Sequence, residues 1–145
     1  MVALQELDQG DSVYCNVADL IQTPFKWGGR DKSGMDCQGL FLEVMRRFGK
    51  NILDELPKNY SSHQIARCIT MKIISGEWQK QEIPAPGDAV ALAIDPMLPN
   101  SVQHLGVYLG EGKFIHILEG TKVIVSRIDD RYYSRKIKGF FRWNG

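Results

Sequence analysis

The stretch SGMDCQGLFLEVMRRFG, residues 33–49, decides how this chain folds. Within it Cys37, Leu40, Phe41, Val44, Met45 and Phe48 recur at i, i+3, i+4, i+7, i+8 and i+11, one continuous face of an α-helix. Gly49 is placed to stop that helix. Gly28, Gly29 and Gly34 make the segment before it a loop. Cys37 therefore falls at a helix N-terminus. Unpaired backbone N–H groups and the helix dipole there favour a thiolate, and the N–H of Cys37 itself can hold an oxyanion. Its place on the apolar face turns the thiol toward whatever the helix packs on.

Upstream, Asp11 is positioned to cap a helix carrying Val13, Val17, Leu20 and Ile21, which Pro24 ends. Downstream, Ser61 and Gln64 have the spacing of a capping box for a third helix bearing Ile65, Cys68 and Ile69. The second half changes period. Strands are expected at 89–94, 104–109, 114–118, 123–127 and 137–143, separated by Gly, Pro, Asn and Asp. Helices followed by a run of strands predict one α+β domain over 1–145, with the Cys37 helix packed on an antiparallel sheet. Residues 95–103, with two prolines, form a loop ahead of His104, either a rim of the site or a plain connection.

Two histidines fall in that sheet. His104 opens one strand and His116 lies in the next, with Leu109-Gly110-Glu111-Gly112-Lys113 between them. A three-residue loop would pair Leu109 with Lys113 and Gly106 with His116, making His104 and His116 diagonal neighbours on one face, with Gly106 leaving room between them. A two-residue loop would send them to opposite faces. A cysteine nucleophile needs such a pair: one imidazole to take the thiol proton and return it to the leaving amine, and a polar group to orient that imidazole. The same three side chains would also suit a Cys-His-His zinc site, although no HxH, CxxC or HExxH spacing supports one.

Composition narrows the classes. Of 145 residues, 43% are hydrophobic and 24% charged, the balance of an ordinary folded domain. A net charge of +1 gives no bulk attraction for nucleic acid. No apolar run reaches the roughly 20 residues of a membrane span, and the N-terminus lacks the pattern of a secretory signal. Three cysteines without a CxxC fit reduced thiols, with Cys15 and Cys68 expected to be inert. No cofactor is expected. His63 is expected to be solvated.

Taken in order, Pro24-Phe25-Lys26-Trp27-Gly28-Gly29, Ser33-Gly34-Met35-Asp36-Cys37-Gln38-Gly39-Leu40, Pro86-Gly87-Asp88, His104-Leu105-Gly106-Val107-Tyr108-Leu109-Gly110 and Phe114-Ile115-His116 resemble the landmarks of the NlpC-type cell-wall cysteine peptidases. The resemblance implies a papain-like α+β core and hydrolysis of peptidoglycan stem peptide, typically between D-glutamate and the diamino acid. It puts Cys37, His104 and His116 at the catalytic positions, and Phe25, Trp27, Gly28, Asp36 and Gln38 around the substrate. The family commonly has tyrosine where Phe25 stands and serine where Gln38 stands, so substrate contacts are expected to differ here. Gly28 and Gly29 are expected to allow close backbone approach.

Two other functions keep their place. The same triad serves a different amide, thioester or lipid acyl group. A papain-like domain can also be a non-catalytic structural piece of a phage tail. A lone catalytic domain without a signal suits a phage tail component or an effector carried by a secretion machine, so the expectation is synthesis in the cytoplasm and delivery to the wall by one of these.

Overall fold

The computed structural model describes residues 9–54 and 62–145. Helix α1 (Gln9–Val17) runs into a single 3-10 turn at Ala18–Leu20. Asp11 lies inside its first turn instead of capping it, and Ile21 is already extended, so the helix ends before Pro24. Val17 and Leu20 are fully buried. A two-residue ribbon, β1 (Arg30–Asp31) with β2 (Gly34–Met35), then delivers the chain to α2 (Cys37–Arg47).

The face read from the sequence is the one α2 buries: Leu40, Phe41, Val44 and Met45 are all in the core. Each contributes about 1.5–3 kcal/mol by leaving water. Phe48 closes the helix and Gly49 follows at φ 80°, the left-handed conformation that glycine adopts without strain. Helix α3 spans Ser62–Ile74. The expected Ser61–Gln64 capping box and the side chain of His63 lie outside the described residues.

Among the described residues the sheet has six strands in the order β3-β8-β4-β5-β6-β7, each pair antiparallel. Four of the expected strands are β4 (Ala89–Leu92), β5 (His104–Gly110), β6 (Lys113–His116) and β7 (Ile124–Arg127). The fifth, β8 (Ile137–Trp143), is inserted between β3 (Trp78–Gln81) and β4. Strand β3 was not expected, because Trp-Gln-Lys-Gln on a sheet edge buries only Trp78. The four-residue helix α4 (Arg131–Ser134) also escapes a periodicity argument. Its cap is Asp130, whose carboxylate accepts from the Tyr132 and Tyr133 N–H groups.

The sheet separates two apolar clusters. Helices α1 and α2 pack on one face, against Ala89, Ala91, Val107, Leu109, Ile115 and Phe141. The other face carries Val90, Leu92, Tyr108 and Phe114, with Tyr133, Ile137 and Phe140 against them. Among the described residues no helix is long and apolar enough to cross a membrane.

Candidate active site

The start of α2 is held by Asp36. This side chain is fully buried, and its carboxylate accepts from the Gly39 N–H and the Gly28 N–H, each at 2.8 Å, and from Arg30 Nη1 at 2.8 Å. Arg30 continues to Asp54 at 2.7 Å. The resemblance placed Asp36 beside the substrate. The structure instead gives its oxygens to three protein donors, which makes it the frame that sets where Cys37 begins the helix. Close approach is built in at the same point: a Cβ on Gly39 would stand 2.2 Å from the Gly29 carbonyl oxygen.

The loop leading to Cys37 is tied to the segment that follows His116. Gln22 N–H donates to Val123 O at 3.0 Å, Val123 N–H to Thr23 O at 2.8 Å, and Phe25 N–H to Thr121 O at 2.9 Å. Met35 N–H in turn donates to Pro24 O at 3.0 Å. His104 begins β5 and His116 ends the antiparallel β6, so both lie at one end of the sheet. The ties bring the N-terminus of α2 toward that end, and α2 packs along β5 and β6. Cys37 is half-buried and packs against the first cluster. Cys15 and Cys68 are also reduced, the former exposed and the latter in the wall of an apolar cleft between α2, α3 and the sheet.

The two histidines meet as the diagonal argument requires. His104 Nε2 lies 3.0 Å from His116 Nδ1, with both side chains buried. Gly106 leaves the gap between strands: a Cβ there would be 2.9 Å from the Ile115 carbonyl oxygen and 3.2 Å from His116 Cβ. The turn differs from the three-residue loop expected. Gly110 pairs with Lys113 across a two-residue turn, Glu111 and Gly112, both at positive φ. A shift in register between Tyr108 and Gly110 restores the pairing of Val107 with Ile115. The bulge adds the residue that the shorter turn removes, so the parity of the histidines is unchanged. Burial drives both rings below the ordinary histidine pKa, and the charge of a neighbouring His104 would drive His116 further down.

One partner was missed. His116 Nε2 lies 2.8 Å from Ser126 Oγ on β7. Ser126 pairs with Phe114 across the β6–β7 ladder, so it shares a face with His116. No hairpin turn fixes that register in the sequence. Tyr133 closes over the same group: its ring meets His116 edge-on at 4.9 Å and Phe114 at 5.5 Å. Both nitrogens of His116 are engaged. Among the described residues no group of three or more His, Cys, Asp or Glu could hold a metal ion.

Near Cys37, Phe25 packs on the first cluster and Trp27 stands edge-on to Phe25 at 5.0 Å. Trp27 is half exposed and its indole N–H reaches Glu119 at 3.3 Å, so it is a surface group and not part of the core. Gln38 and Leu105, the residues after Cys37 and His104, line the apolar cleft together with Phe41, Trp78 and Phe141. Loop 95–103 is stapled at its base by Gln103, whose amide donates to Leu98 O at 2.9 Å and accepts from Asp95 N–H at 3.2 Å. The Pro86-Gly87-Asp88 corner is fixed by Arg142, which grips the buried Asp88 carboxylate at 2.8 and 2.9 Å.

A helix packed on a six-stranded antiparallel sheet, with a cysteine at the helix start and histidines at one end of adjacent strands, is the architecture of papain-like domains. The chain matches the NlpC/P60 family over residues 22–142 and belongs to it. It is 27% identical over 127 residues to the probable peptidoglycan endopeptidase LytE of Bacillus subtilis, covering 86% of this chain and 31% of that protein. It spans 59% and 62% of the length of two further curated relatives. A crystal structure of an NlpC/P60 family protein from Bacillus cereus superposes with a TM-score of 0.65 at 22% identity, covering 94% of this chain and 40% of that one. RipD of Mycobacterium tuberculosis, described as a non-catalytic NlpC/p60 domain protein adapted to peptidoglycan binding, superposes with a TM-score of 0.54 at 20% identity, covering 93% of this chain and 96% of that one.

Proposed function

We propose that this domain is a cysteine endopeptidase of cell-wall peptide, with Cys37 as nucleophile, His104 as base and His116 as the group that orients the base. The observation that carries this reading is the buried His104–His116 contact at 3.0 Å, at the end of the sheet toward which the Cys37 loop is tied. His104 Nε2 is committed to His116, which leaves Nδ1 as the ring nitrogen that exchanges protons. The buried ring is neutral near pH 7, so it is a base at rest.

In the reaction the Cys37 thiol proton passes to His104 Nδ1 as sulfur attacks the amide carbonyl. The developing oxyanion takes the backbone N–H of Cys37 in the first helical turn. The C–N bond then breaks, His104 returns the proton to the leaving amine, and a thioester remains. Water, deprotonated by His104, releases the acid and restores the thiol. The proposed substrate is peptidoglycan stem peptide, cut by resemblance at the D-glutamyl–diamino acid bond. Kinship with LytE supports the substrate class. Trp27, half exposed beside Phe25, and Gln38, at the cleft wall, offer substrate contacts.

The test is digestion of purified wall fragments with product identification by mass spectrometry, using Cys37→Ala as control. New stem-peptide fragments that disappear in the variant would establish the activity and name the bond. Binding without cleavage would place the domain with RipD's described role. Turnover of another acyl substrate would keep the chemistry and replace the substrate.

A further inference from the structure

His104 and His116 share one contact, and that contact has room for one hydrogen. A neutral pair of rings has two N–H hydrogens: one in the contact, the other on an outer nitrogen, His104 Nδ1 or His116 Nε2. A third proton must take the outer nitrogen that is still bare. His104 Nδ1 is then protonated whichever ring is called charged, because the pair titrates as a unit. The base exists only while the pair stays neutral, so whatever keeps water from the pair keeps the base.

On the side of the sheet away from α2 that cover is thin. His116 is fully buried, yet α4 buries none of its own residues. The Tyr133 ring stands between them. It meets His116 at 4.9 Å and Phe114 at 5.5 Å, both edge-on, and Phe114 lies 4.6 Å from the imidazole. Of these three mutually touching rings only Tyr133 reaches solvent. Its helix is held at both ends: Asp130 caps the start, and Ala93 N–H donates to Lys136 O at 2.8 Å just past the finish. We propose that Tyr133 is a positioning residue whose ring seals the histidine pair from water and so preserves the bare nitrogen on which His104 acts. Burial of this kind disfavours the charged ring, the direction in which both histidines are displaced. The neighbouring elements bring no counter-charge to the pair. β5 adds Tyr108, whose hydroxyl accepts from Gly112 N–H, β7 offers Ser126 and Ile124, and α2 brings the Cys37 thiol to this end of the sheet. The Asp130 carboxylate is spent on the N–H groups of Tyr132 and Tyr133. Arg131 and Arg135 are exposed, and Lys136 lies over the outer Tyr132 ring at 4.6 Å.

The catalytic half of this inference rests on the reading of His104 as base, but its first readout needs no substrate. Titration of the histidine ring protons by NMR follows the pair directly. In the wild-type protein both rings are expected to stay neutral to below about pH 5. In Tyr133→Ala the pair should titrate near the ordinary value of about 6.5. The acid limb of kcat should rise with it, so the ratio of wild-type to variant kcat should be about 10 times larger at pH 5.5 than at pH 8. A merely structural lesion gives the same ratio at both. Tyr133→Phe, which keeps the ring, should restore the titration and the profile. Tyr133→Leu gives a thinner apolar cover and should show part of the shift, and it carries the test if Tyr133→Ala does not fold. Histidines that titrate as in the wild type when the ring is gone, or a kcat ratio independent of pH, would overturn the proposal. So would a Tyr133→Phe protein that behaves like Tyr133→Ala, which would put the role in the hydroxyl. A shifted titration in a protein inactive on wall peptide would uphold the seal and sink only the substrate reading.

Discussion

One face of the sheet is covered by α1 and α2, and the cluster there holds sixteen buried hydrophobic residues among those described; the cluster on the other face has four, beneath the four-residue α4 and its flanks. Polar groups are distributed the other way. His104, His116 and Ser126 stand on the thinly covered face, bonded to one another, with the Tyr133 ring edge-on to His116. Hydrophobic burial is non-directional and tolerates a helix laid across a sheet, whereas a chain of hydrogen bonds needs fixed partners at fixed distances. The thick face therefore supplies most of the stability, and the thin face supplies geometry for chemistry. Cys37 joins them: it packs with the thick face and starts the helix at the sheet end where the histidines lie.

The sharpest way to break this division is to change each face separately. His104→Gln keeps a hydrogen-bonding side chain but cannot accept and return a proton. Wall-peptide cleavage should fall by about 10³-fold or more, while denaturant unfolding should register a change of about 1 kcal/mol. A loss of stability as large as that of a core truncation would show that the histidine pair is structural. Met45→Ala, fully buried on the opposite face, should do the reverse. It is expected to cost about 2–5 kcal/mol and to leave kcat per folded molecule unchanged. A large fall in kcat there would show that the helix face and the chemistry are one unit.

The same division governs how much could be read in advance. The α2 face follows from a period of 3.6 sustained over three turns, and the histidine parity follows from a hairpin whose ends are close in sequence. Both are local patterns. Ser126 and Tyr133 are not, because nothing in residues 117–123 fixes the β6–β7 register and α4 is too short to show a period. The β5–β6 turn was misread as three residues, yet its bulge conserves the parity that mattered. Asp36 was placed near a substrate because it adjoins Cys37. Its role as a buried cap depends on Arg30 and Gly28, whose approach requires the folded loop.

Acid should reach the thin face first. Both histidines are held below their unfolded value of about 6.5 in the folded protein, because burial disfavours the charged ring. Below that pH the unfolded chain binds more protons than the folded one. Their contribution is thus complete above about pH 6.5 and is lost as pH falls, by up to about 1.4 kcal/mol per histidine per unit until the folded pKa is reached. Unfolding free energies measured between pH 7.5 and 5.5 should fall accordingly, and His104→Gln should flatten the slope while Met45→Ala leaves it parallel. A flat wild-type curve would mean that the pair is hydrated and titrates normally.

The mildest test compares two glycines. Gly39→Ala sets a methyl 2.2 Å from the Gly29 carbonyl oxygen, backbone against backbone, so the loop must leave the helix and carry Cys37's frame with it. Stability and activity should fall together. Gly106→Ala meets the Ile115 carbonyl oxygen and the Phe114 ring at 2.9 Å, where a twist of the ladder and a ring movement can relieve part of the overlap. Its cost in stability is expected to be about 1–2 kcal/mol. Phe114 and His116 are among the groups that must move, so kcat should fall by more than that cost implies for the folded fraction. Equal and proportionate losses at both glycines would argue that the histidine pair adjusts freely to its strand, and the contrast between a face for stability and a face for chemistry would then fail at the residue meant to separate them.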